Sequence, residues 1–191
     1  GSEMCIRDSF SSATNGAMKA IRTNSGMIKK VYVPKYIYPL SSVLFNYIIF
    51  AISLIVLVVV SIVLKVYPTV YLLQAIIPLI LLLITAFGVG MILSTMAVFF
   101  RDLEYLWSVG LMIIMYASAI FYKPDRLLKS GFGWILKCNP LYLLIHNFRQ
   151  AVFGMPMNMK FLAASVVFAI VSVIVGLVFF YKKQDEFILH I

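Results

Sequence analysis

The charged residues of this chain fall in clumps. Between them lie four stretches without Asp, Glu, Lys or Arg, namely Tyr36–Leu64, Val66–Phe100, Tyr105–Tyr122 and Phe161–Tyr181, together 103 of 191 residues. An α-helix needs roughly 20 apolar residues to cross a hydrocarbon core about 30 Å thick. The pattern predicts an all-α polytopic membrane protein with spans at about 38–64, 69–100, 105–122 and 160–181. Pro39 suits the start of the first span, where a missing N–H is tolerated. Val66–Phe100 is too long for one level span and too short for two. Tyr67-Pro68 is therefore read as a turn and Pro78 as a kink in a tilted helix. Gly88 and Gly90 are placed to let neighbouring helices approach closely. Phe99-Phe100-Arg101-Asp102-Leu103-Glu104 reads as a tight polar hinge before the third span.

The polar intervals carry a second layer of pattern. Residues 1–9 share no periodicity with the residues after them. They are read as a foreign or unstructured leader, similar to a translated sequencing adapter, and are set outside the fold. Upstream residues, up to whole spans, are then missing. Residues 10–36 form the next unit and 37–191 the transmembrane domain, with Phe10–Ile21 as the end of a truncated span. Asn24 or Ser25 can cap a short helix that Pro34 stops. Met27, Ile28, Val31 and Tyr32 fall on one face, with Lys29 and Lys30 on the other. This is the pattern of a short amphipathic helix at a membrane surface, and equally that of a positively charged flank.

The region 124–158 is no ordinary loop. Asn139-Pro140 reads as a cap followed by proline at the first helical position, and Leu141, Leu144, Ile145, Phe148 and Val152 form a helical stripe. His146, Arg149 and Gln150 face the other way. Such a helix is too short to span and should lie in the interface or dip partway into the membrane. Trp134, Ile135 and Leu136 offer an arm before it, giving a re-entrant hairpin.

Composition agrees: 63% of residues are hydrophobic and mean hydropathy is +1.01. The net charge of +9 reflects basic residues flanking spans, and no basic, aromatic-interleaved module exists to bind nucleic acid. Orientation is nearly a draw by the positive-inside rule. Eight basic residues (Lys19, Arg22, Lys29, Lys30, Lys35, Arg101, Lys182, Lys183) stand against seven (Lys65, Lys123, Arg126, Lys129, Lys137, Arg149, Lys160). Cys5 and Cys138 make no disulfide framework. No Gly is followed by Lys, so there is no P-loop, and no His/Cys cluster offers a metal site. Between Ser9 and Gln184 the only carboxylates are Asp102, Glu104 and Asp125, none within a span. That disfavours a proton-coupled transporter, which needs an intramembrane ionisable group, and a membrane hydrolase, which needs acids and bases in reach of substrate. A secondary transporter would need such a group in a missing span. The reading is a non-enzyme with no catalytic residue: a conduit or scaffold driven from elsewhere.

The segment Asn24 to Ser42, NSGMIKKVYVPKYIYPLSS, resembles the pattern N-x-x-L-I-x-K-V-Y-F-P-R-x-I-L-P-L-S of ABC-2 type permeases that export O-antigen, teichoic acid or capsule polysaccharides. Phe99-Phe100-Arg101-Asp102 resembles the family's F-R-D turn, and Asn139-Pro140 with Phe148-Arg149 its N-P-L…F-R stretch. Val33 stands where Phe is usual, Lys35 where Arg is usual and Tyr38 where Leu is usual.

The resemblance implies the last four of six spans, a cytoplasmic coupling helix, external re-entrant helices and a bacterial cytoplasmic (inner) membrane location. It implies a homodimer of two permease copies above two separate ATP-binding cassette subunits, which would hold the ATP and Mg, with no cofactor in this chain. The substrate would be a lipid-linked glycan, with membrane lipids around it; a drug or a lipid is the alternative cargo. Asn24, Met27, Ile28, Lys29, Lys30, Val31, Tyr32 and Pro34 would form the ATPase-coupling element, with Ile28 buried against the ATPase. Phe100, Arg101 and Asp102 would form the cytoplasmic hinge. Tyr105, Trp107, Tyr116, Phe121 and Tyr122 would line the glycan path, and Trp134, Asn139, Pro140, Phe148 and Arg149 would belong to the re-entrant region.

Overall fold

The computed structural model describes residues 2–31, 33–63, 74–118, 139–156 and 158–187. Within them the chain forms α1 (Ser2–Thr23), α2 (Ser25–Ile28), α3 (Ile37–Val63), α4 (Ile76–Phe99), α5 (Leu103–Ala117), α6 (Pro140–Val152) and α7 (Met159–Lys183). Helices α3, α4 and α7 are long and apolar enough to cross a membrane. The third expected span is represented by α5, whose 15 residues reach only about 22 Å at 1.5 Å per residue. The turn expected at Tyr67-Pro68 lies outside the described residues, as do Tyr32, Phe121, Tyr122 and Trp134.

Helix α4 is the centre of the bundle, packing against α1 on one side and α7 on the other, while α3 packs on α1. Half of its apolar window is buried inside the protein, against 11% for α3 and 22% for α7. The outward residues of α3 and α7, such as Phe45, Ile52, Val63, Val167 and Ile174, are apolar and exposed, as a lipid-facing surface requires.

Small residues set the helix spacing. A Cβ on Gly88 would stand 2.5 Å from Ser172 Oγ and 2.6 Å from backbone atoms of Ser172 and Val173, and one on Gly176 would stand 2.6 Å from the Gly88 carbonyl oxygen. The α4–α7 crossing is therefore a backbone-to-backbone contact. A Cβ on Gly90 would meet Ala17 Cβ at 2.8 Å, which closes α4 on α1. The close approach expected at Gly88 and Gly90 is thus present. It gives the dense packing that must hold a bundle together where lipid removes the hydrophobic drive.

Three expectations are corrected. Pro78 is the third residue of α4, not the site of a kink; in the first turn its missing N–H leaves no intrahelical bond broken. Residues 2–9 are helical, so of the two readings of this leader, foreign or unstructured, the unstructured one fails. These residues continue without a break into the remainder of α1, with Ile6 and Phe10 buried in the main core. The spacing Ile6, Phe10, Ala13, Ala17 and Ile21 is that of one helix face. Finally, α6 is buried nearly all round rather than on one stripe. Tyr142, Leu143 and Asn147, which lie off the expected stripe, are buried with Leu141, Leu144, Ile145 and Phe148. It packs among α7, α4 and α1, while Val152, on the expected stripe, is exposed at its end.

Candidate functional site

One end of the bundle gathers α2, the close of α4, the start of α5 and the close of α7. Helix α2 is a single turn. Asn24 precedes it without a side-chain cap, and its Nδ2 donates to the Ala20 carbonyl at 2.7 Å, finishing α1. Its own carbonyl accepts from Met27 N and Ile28 N, both at 3.0 Å, and so starts the turn. Ile28 points inward, 9% exposed, into a cluster with Ile21, Met91, Val98, Phe180 and Phe187. The expectation that Ile28 is presented to a partner is corrected. Met27 (61% exposed) and Val31 (55%) are the apolar residues this segment offers outward, beside exposed Lys29 and Lys30. Pro34 is exposed and its carbonyl accepts from Ile37 N at 3.1 Å, opening α3.

Phe100, Arg101 and Asp102 are all exposed at the turn between α4 and α5. The Asp102 carbonyl accepts from Tyr105 N and Leu106 N, so the reversal is held by backbone bonds. Glu104, two residues on, is paired with Arg22 and lies 3.5 Å from Lys19, both on α1. This clamp between α1 and α5 is a feature that the pattern of the sequence alone did not mark. Its one signal was that Glu104 is among the three acids of the central chain.

Of the candidate aromatics, Tyr105 and Tyr116 are exposed on α5. Trp107 is turned toward α1, where its Nε1–H donates to Thr14 Oγ1 at 3.2 Å and its ring packs beside Met18, Leu93 and Ala97. At the opposite end of the bundle Asn139 caps α6. Its Oδ1 accepts from Leu141 N at 3.1 Å, while Nδ2 donates to the Ile114 carbonyl at 3.2 Å and to Ser118 Oγ at 3.1 Å, tying α6 to the close of α5. Pro140 sits in the first turn and Phe148 lies in the core. Arg149 is held by both oxygens of Glu3 at 2.6 Å, which keeps its guanidinium firmly charged. His146 meets Phe161 edge-on at 4.9 Å. Burial, and next the Arg149 charge, holds its imidazole below the ordinary value. Asn147, fully buried without a protein partner for either amide atom, was not anticipated.

An apolar groove of ≈ 290 Å³ runs between α3, α4 and α7, lined by Leu40, Val43, Leu44, Leu83, Ile84, Phe87 and Val173. It presents no acid, base or nucleophile. The arrangement suits passage or anchoring rather than bond chemistry.

The ABC-2 type transporter family profile matches residues 9–153. Two O-antigen export system permease proteins RfbA of Klebsiella pneumoniae are 34% and 32% identical to the chain over 179 residues, covering 93% of it and 68% of each relative. The chain belongs to the ABC-2 type transporter family. It is a multi-pass inner-membrane protein, and its relatives are transport permeases. In ABC-2 terms, the α2 end carries the family-like Asn24–Ser42 segment and the Phe100–Asp102 turn together, although they lie far apart in sequence.

Proposed function

We propose that this chain is the permease subunit of an ABC transporter that exports a lipid-linked polysaccharide of the O-antigen class. The observation that carries the reading is the similarity to O-antigen export permeases along 93% of the chain. The apolar helices α3, α4 and α7, free of charge except at their ends, suit a bundle driven by an outside energy source.

Two copies would pair in the membrane, with ATP and Mg held by two separate cassette subunits. Met27 and Val31, exposed on either side of Lys29 and Lys30, have the chemistry of an apolar ridge entering a groove on the ATPase. Tyr105 and Tyr116 present rings that can stack on the apolar faces of sugars.

The test is disruption of the gene in a host that carries it beside a cassette ATPase gene. Surface glycan should disappear and return on complementation, and the tagged permease should co-purify with the ATPase. Unchanged surface glycan with altered drug or lipid efflux would place the cargo elsewhere in the family.

A further inference from the structure

At the α2 end one aromatic ring sits in the buried cluster that joins α1, α2, α4 and α7. Phe187 stands in the turn after α7 and is 0% exposed. It shares a buried cluster with Ile21 of α1, Ile28 of α2, Met91 and Val98 of α4 and Phe180 of α7. Its ring meets Phe180 edge-on at 5.3 Å and Phe99 at 6.2 Å. Lys35, between α2 and α3, holds its ammonium 5.8 Å from the centre of the same ring and donates to the Gln184 carbonyl. Beside it, Lys183 lies 5.5 Å from the Phe99 ring centre and is paired with Glu186 at 2.8 Å.

A single helical turn cannot keep its own shape, because nucleation is unfavourable and α2 has no side-chain cap. A load on Met27 and Val31 would bend the segment unless it were anchored. Its anchors are Ile28, by packing, and Lys35, by charge over a ring and a hydrogen bond. Lys35 rests on Phe187 and the turn that carries it, and Ile28 shares their buried cluster. Close-packed side chains pass on a displacement instead of absorbing it.

We infer that Phe187 is a positioning residue for coupling: it clasps the segment from Ser25 to Lys35 to the ends of α4 and α7, so that movement imposed on Met27 and Val31 reaches the membrane helices. The inference rests on α2 being the ATPase contact.

The test uses the full-length permease with its cassette ATPase, comparing Phe187→Ala, Phe187→Leu and Lys35→Gln. Three quantities are read: ATPase co-purified, ATP hydrolysed and glycan delivered to the cell surface. Phe187→Ala should leave assembly and hydrolysis near the unmodified level while export per ATP falls by about threefold to thirtyfold, the range that residues along a contact chain command. Phe187→Leu, which keeps apolar volume, should restore most of that loss. Loss of export in strict proportion to hydrolysis would make the residue merely structural and overturn the inference, as would normal export. If Phe187→Ala fails to insert, Lys35→Gln carries the test. It removes the charge over the Phe187 ring without opening a cavity, and unchanged export per ATP would then overturn the clasp. Failure of the unmodified permease to bind the ATPase would instead sink the functional reading beneath it.

Discussion

Ile28 and Met27 are neighbours with opposite duties. Ile28 is buried against α1, α4, α7 and Phe187, so Ile28→Asp places an unpaired carboxylate in an apolar cluster. That should cost the permease a few kcal/mol of its own stability, at least about 2. The expected result is a lower melting temperature in detergent and reduced membrane levels even without the ATPase. Met27→Asp, at an exposed position, should leave melting unchanged and weaken ATPase co-purification. Equal melting for both variants would contradict the burial of Ile28. The apolar positions were legible in the sequence, but the single helical face expected of Met27, Ile28 and Val31 is not formed: α2 ends at Ile28, which is buried while Met27 and Val31 are exposed. Which of them faces the chain's own core was not legible, because a core and a partner's groove select the same side chains.

His146 supplies a second test at this scale. Its folded value is depressed, first by burial and then by Arg149, so the unfolded chain binds the proton more readily. Stability is therefore unaffected above the ordinary imidazole value near 6.5 and declines as pH falls from there toward the lower folded value. His146→Gln should show a shallower fall in melting temperature between about pH 7 and pH 5 than the unmodified protein. Parallel curves would show that the imidazole does not contribute.

Among elements, the α4–α7 crossing makes the sharpest demand. Gly88→Ala must push Cβ against the backbone of Ser172 and Val173, and Gly176→Ala must push it against the Gly88 carbonyl. Each should lower stability by about 1–3 kcal/mol, the usual cost of overpacking. Gly26→Ala meets nothing within 4 Å and serves as the control. A permease that tolerates Gly88→Ala as readily as Gly26→Ala would not have backbones in contact at this crossing. Asn139→Ala removes the α6 cap together with both bonds to the end of α5. A loss of at least about 1 kcal/mol is expected, from the cap alone.

The element boundaries show how far a hydrophobic pattern reaches. Charge gaps located α3, α7 and the end of α4 closely because length and apolarity alone define a span, whereas the start expected near 69 lies outside the described residues. The Asn139-Pro140 start of α6 was legible because capping is local chemistry. Burial on all sides of α6 was not. Tyr142 and Leu143 suit an interfacial helix as well as a core helix, and only contact with α7 and α4 decides between them. Pro78 misled for a related reason: proline breaks a helix interior and favours a first turn, and the sequence does not show where α4 begins.

At the scale of the whole molecule the charge count alone left orientation undecided, with basic residues divided eight to seven, while the family resemblance put the coupling segment on the cytoplasmic side. The fold sharpens the count by bringing charges together. Lys19, Arg22, Lys29, Lys30, Lys35, Arg101, Lys182 and Lys183 lie on segments that meet at the α2 end, close to the membrane-spanning helices, where the rule applies most strongly. Among the described residues the opposite end carries fewer, with Arg149 already held by Glu3 and Lys160 exposed at the start of α7. The α2 end is therefore expected to face the cytoplasm. Cysteine placed at Lys30 and at Lys160, in a Cys5→Ser, Cys138→Ser background of the full-length permease, can be probed in intact cells with an impermeant thiol reagent. Position 160 should label in whole cells and position 30 only after lysis, because both are exposed but α7 separates their ends by about 35 Å of helix. Labelling at 30 and protection at 160 would invert the protein. An inverted protein would put Met27 and Val31 out of reach of any cytoplasmic ATPase, so coupling through α2 would fall with the topology.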